Sequence, residues 1–262
     1  MRRGGNIVKI IGALVALWLI ALVAIGLIGG RTIEKRVIAR VGEPLQATAT
    51  IDRTELALIR GHLDLTKIHV IRDEGGHLEI DVGDIRCDLP PFGLALIDDD
   101  CRTLTIRGMR VNVSAAGVFK LRKASSPVHA RKVVIDDAIL DASPSALAPG
   151  LGKIQITVEH AEANDTLFKT PFSWIFALES LRAKVVLPGD IEVKLGYEHG
   201  KLTVAGAMFG SKPIELPFAI PVADLADDPA GELKKLAKLG KDIGEEVLAQ
   251  RAKDWFLNKL KP

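Results

Sequence analysis

The segment LEIDVGDIRC, residues 78–87, decides how this chain folds. Its inward candidates are Ile80, Val82, Ile85 and Cys87, at positions i, i+2, i+5 and i+7. Alternation at period two marks a strand with one buried face. One slipped step between two alternating pairs is the trace of a β-bulge, or of a break between two strands. The same spacing recurs on both sides of the segment: Leu63, Leu65, Ile68 and Val70 before it, then Leu104, Ile106, Met109 and Val111, then Val133, Ile135, Ala138 and Leu140. The slipped step holds Gly83 and Gly108, and glycine suits a bulge. The intervals are too uneven for a solenoid. The pattern predicts one sheet, curved at similar places in successive strands.

Further out, Ala47, Ala49 and Ile51 alternate with Thr48, Thr50 and Asp52, and Ile154, Ile156 and Val158 resume the alternation later. Gly75-Gly76 and Asp98-Asp99-Asp100 mark turns. The acidic run lacks the spaced ligands and glycine of a calcium loop. Residues 123–128 (KASSPV) divide the strand region into halves, and 141–152 (DASPSALAPGLG) form a second loop. Thr170-Pro171 reads as the start of a short helix near 171–181, apolar on most sides through Phe172, Trp174, Ile175, Phe176, Leu178 and Leu181. Such a helix packs on the sheet or touches lipid. His199-Gly200 reads as a two-residue hairpin turn. It pairs Glu198 with Lys201 and puts Ile191, Val193, Leu195, Tyr197, Leu202, Val204, Gly206 and Met208 on one face. Pro213, Pro217 and Pro221 place the last extended segment at a sheet edge.

The two ends of the chain read differently. IIGALVALWLIALVAIGLI, residues 10–28, carries no charge and would span about 28 Å as a helix, close to a bilayer's hydrocarbon thickness. A short cytoplasmic tail and a retained transmembrane anchor over residues 1–30 are the expectation. A cleaved signal peptide is the alternative, but its apolar core is shorter than this run. Residues 31–43 form a juxtamembrane helical stretch ended by Pro44. A β-rich domain follows over 44–222, and 223–262 is a helical tail. Its amphipathic stripe runs through Ile243, Val247, Trp255 and Phe256 and suits the end of the sheet or a membrane surface.

The net charge of +2 gives no field for nucleic acid. Apolar residues make up 48% and aromatics 5%, so the apolar content is aliphatic, as in a β-rich protein. Cys87 and Cys101 are the two cysteines; on the exported side of a membrane they form a disulfide, and otherwise they are separate buried thiols. No phosphate-binding glycine loop, metal-spaced histidine pair or nucleophile elbow is present in the sequence. His62, His69 and His77 are assigned to different strand phases. The reading is therefore of a non-enzyme without cofactor, catalytic residues or metal.

An N-terminal membrane helix followed by ATATIDRTELALIRGHLDLTKIHV, HLEIDVGDIRCDL and TLTIRGMRVNV resembles the start of AsmA-like envelope proteins, relatives of the bridge-like lipid-transfer proteins. The resemblance covers residues 1–113 and rests on apolar patterning, so it carries no site residue across. It implies a curved, mostly antiparallel sheet with an apolar concave face, an inner-membrane anchor, a periplasmic main domain and a role in phospholipid transport or envelope homeostasis. About 12 strands would make a sheet of roughly 58 Å, too short to bridge an envelope alone. Two functions are thus set against each other. One is a lipid-handling module with an open β-trough, whose lipid-facing residues are Ile191, Val193, Leu195, Tyr197, Leu202, Val204 and Met208 with Trp174 and Phe176. The other is a closed structural or interaction β-sandwich. Expected partners are the membrane, a phospholipid or other acyl-chain ligand, and further copies of the chain or an envelope protein.

Overall fold

The computed structural model describes residues 17–18, 32, 34–39, 41–43, 45–91, 100–114, 128–143, 153–168, 173–206, 213–217, 238 and 245. They build one open, curved, mixed sheet of ten strands in strictly sequential order. The strands are β1 Thr48–Ala57, β2 His62–Arg72, β3 Leu78–Asp88, β4 Cys101–Ser114, β5 Val128–Ser143, β6 Ile154–Phe168, β7 Leu178–Leu187, β8 Ile191–Glu198, β9 Lys201–Gly206 and β10 Ile214–Pro217. Every neighbouring pair is antiparallel except β4 and β5, which run parallel on either side of residues 115–127. Ten strands extend about 43 Å across the hydrogen-bonding direction.

The slipped step is an aligned kink. In β1–β2 the pairs on its two sides are Ile51↔Ile68 and Arg53↔Thr66. In β2–β3 they are Thr66↔Asp84 and Ile68↔Val82, and in β3–β4 Val82↔Met109 and Asp84↔Arg107. The register is the same before and after the skipped pair, so no residue is inserted. Instead Lys67 (φ 52°), Gly108 (φ 62°) and Asp137 (φ 55°) adopt left-handed backbone. One such residue reverses the alternation, so the apolar pairs before and after it face the same way. Gly83 sits opposite Gly108, and a Cβ there would lie 3.3 Å from the Arg107 carbonyl oxygen. The kink ends at β6, where a true register shift against β7 falls between Val158 and His160.

Two more copies of the spacing join the four read from sequence: Ala49, Ile51, Thr54 and Leu56 on β1, and Ile156, Val158, Ala161 and Ala163 on β6. Because strands run through the kink, ten long strands replace the expected twelve.

Residues 34–39 and 41–43 are helical, and Val37, Ile38 and Val41 pack against the buried cluster of Leu45, Leu65, Ile68 and Val70. Arg72, 6% exposed, ties this end together. Its Nη1 donates to the Leu45 carbonyl at 2.6 Å and its Nε to the Gly76 carbonyl at 3.3 Å. Burial lowers its pKa from the usual guanidinium value.

Two expectations are corrected. The helix near 171–181 is a five-residue 3-10 turn, Ser173–Ala177. Leu178–Leu187 belongs to β7, where ladder bonds to both β6 and β8 outweigh the weak stability of a short isolated helix. The closed sandwich is also absent among the described residues: they hold one sheet, with the helical stretch packed at its β1–β2 end and the 3-10 turn lying against β6. No helix of the described residues is long and apolar enough to cross a membrane. The 10–28 stretch lies outside them except for Leu17 and Trp18, as does the C-terminal tail apart from Lys238 and Glu245.

Candidate functional site: an apolar face and its charged reverse

Register assembles the apolar residues into rows that each cross eight of the ten strands. One row runs Ala49, Val70, Ile80, Val111, Leu140, Ile156, Val185, Val193. Another runs Leu65, Ile85, Ile106, Ile135, Ala161, Leu181, Tyr197, Leu202. The interior strand β4 contributes Leu104, Ile106, Met109 and Val111, all only half-buried. In a two-layer domain such positions would be covered.

The 3-10 turn covers part of the face. Trp174 and Ala177 pack against the cluster of Cys101, Ala130, Val133 and Ile135. Phe176 is buried and Trp174 half-buried. The hairpin has the expected register, with Leu195 opposite Val204 and Tyr197 opposite Leu202. His199 (φ 45°) and Gly200 (φ 81°) both take positive φ, the signature of a type I′ turn. Val193, Leu202 and Val204 are buried together with Ile214, while Ile191, Leu195 and Tyr197 remain half-exposed. Met208 lies outside the described residues. β10 occupies the sheet edge with Pro217 at its end.

Cys87 on β3 and Cys101 at the start of β4 are joined by a disulfide, with a Cα–Cα distance of 5.6 Å.

The reverse face is charged, and all six histidines of the chain lie within ion-pair distance of a carboxylate. His129 bridges β4 to β6 across β5: Nδ1 lies 3.0 Å from Asp100 Oδ2 and Nε2 3.1 Å from Asp165 Oδ1. Hydrogen bonds to Asp100 and then Asp165 raise its pKa. Glu162 is held below the usual carboxylate value, first by its hydrogen bond from Lys132.

The histidine clasp predicts a pH dependence. A raised folded pKa contributes stability that is complete below the unfolded value of about 6.5 and lost as pH rises through the folded one. The melting temperature of His129→Gln should therefore fall furthest below the parent in mild acid, and the two should converge in alkali. Equal differences at all pH values would show that the clasp does not titrate.

No protein-family model and no curated protein matches this chain.

Proposed function

We propose that this chain is a membrane-anchored envelope protein whose sheet forms an apolar trough that handles or relays phospholipid. The half-buried apolar residues on the interior strand β4 carry the reading: they are the surface a single open sheet leaves for acyl chains. The resemblance of residues 1–113 to AsmA-like envelope proteins and the apolar 10–28 stretch support it. The Cys87–Cys101 bond suits an oxidising compartment such as the periplasm. At about 43 Å the sheet is shorter than an envelope-crossing bridge requires, which favours loading, receiving or relaying lipid, alone or with further copies. Substrate binding rather than bond chemistry is the proposed activity.

Native mass spectrometry of the full chain released from its membrane tests this. Retained phospholipid adducts are expected. A bare apoprotein mass under conditions that preserve the fold would reject the reading.

A further inference from the structure

We propose that the reverse face carries a binding site for a divalent transition metal of the zinc class, built from His69, Glu79 and Asp81 with His77 beside them. The three principal residues each offer a ligand atom, and these atoms lie within 4.8 Å of one another. His69 on β2 stands directly opposite Asp81 on β3, with Nδ1 2.7 Å from Asp81 Oδ1, and Glu79 follows one step along the same face. His77 Nε2 lies 3.7 Å from Glu79 Oε2. The expected separation of His69 and His77 by strand phase is thus overturned. His69 stands opposite Asp81, while His77, just before β3, reaches Glu79 two residues along, so both imidazoles meet the same pair of carboxylates.

Charge balance is an independent argument. Several other carboxylates of this face meet permanent cations: Asp64 and Asp88 with Arg86, Glu162 with Lys132, Asp136 with Arg107, Glu192 with Lys184. Among the described residues, the ion-pair partners of Glu79 and Asp81 are the His77 and His69 imidazoles rather than a lysine or arginine. Arg110, opposite Asp81 in register, closes no ion pair with it. Two carboxylates and two imidazoles in one group, none of the carboxylates ion-paired to a lysine or arginine, make a donor set that a dication would complete.

The scaffold is rigid underneath, since Val70, Leu78 and Val82 are buried on the opposite face. Tetrahedral zinc needs donors at roughly 2.0–2.2 Å, about 3.3 Å from one another, so the 2.7 Å contact of His69 with Asp81 opens slightly while the Glu79 carboxylate rotates inward. Mixed imidazole and carboxylate donors suit zinc and its neighbours over magnesium. The site lies on the far side of the sheet from the apolar rows, so it stands whether or not lipid binds.

Isothermal titration of the metal-stripped full chain with zinc chloride, at neutral pH, tests the site. One equivalent should bind with micromolar or tighter affinity, weakened about tenfold or more in His69→Ala and in Glu79→Gln. His199→Ala, a histidine elsewhere on the surface, should bind as the parent does. Magnesium chloride at the same concentration should give no saturable heat. Absence of stoichiometric zinc binding, or binding unchanged in both site variants, would overturn the proposal. Far-UV circular dichroism confirms that each variant is folded before titration.

Discussion

Val133→Asp should yield no cooperatively folded protein, whereas Met109→Asp on the adjacent strand should fold. Val133 is 1% exposed and packs in the cluster that Trp174, Ala177 and Leu178 cover. An aspartate there is a buried charge without a partner, costing several kcal/mol against a total stability of about 5–15 kcal/mol. Met109 faces the same side one kink along, half-exposed on β4. An aspartate there keeps most of its hydration and forfeits only part of the contact with Val82, about 1–2 kcal/mol, or a few degrees of melting temperature. Circular dichroism melting curves of the two variants decide the matter. Collapse of both would mean that the β4 row is covered, and survival of both would mean that the 3-10 turn seals nothing.

Replacing Arg72 by methionine should cost about 2–3 kcal/mol, because two carbonyls lose a charged donor while the aliphatic stem is kept. The acceptors are Leu45 at the end of the helical stretch and Gly76 in the β2–β3 turn, so one guanidinium fastens the helix to the sheet. Lysine should recover only part of the loss, since a single ammonium cannot reproduce the planar fork. Urea unfolding with an unchanged m-value is the appropriate measure. A midpoint equal to the parent's would show that the clamp contributes nothing.

These two positions illustrate what the sequence disclosed. The apolar spacing around Gly83 and Gly108 revealed the kinked strands, and His199-Gly200 fixed the hairpin register to the residue. The copies on β1 and β6 are faint in the sequence because Thr54, Ala161 and Ala163 are not strongly apolar, although the same step places them in the rows. Lys67 and Asp137 are poor advertisements for left-handed backbone, so the kink read as a bulge or a break. The parallel pairing of β4 with β5 depends on a long connection and on contacts far apart in sequence, for which local periodicity carries no signal. Nothing in the sequence sets Arg72 apart from other charges near strand ends; only the fold brings the Leu45 carbonyl to it. The histidine and carboxylate group at His69 was hidden for a similar reason, since its members come together only when β2 folds back on β3.

A photo-reactive phenylalanine analogue placed singly at Met109, on the apolar face, and at Arg110, on the reverse, tests the central claim most directly. Irradiated in intact cells and followed by mass spectrometry of the purified chain, the Met109 position should capture phospholipid and the Arg110 position should not. Capture at neither position, or equally at both, would contradict an apolar sheet face that holds acyl chains.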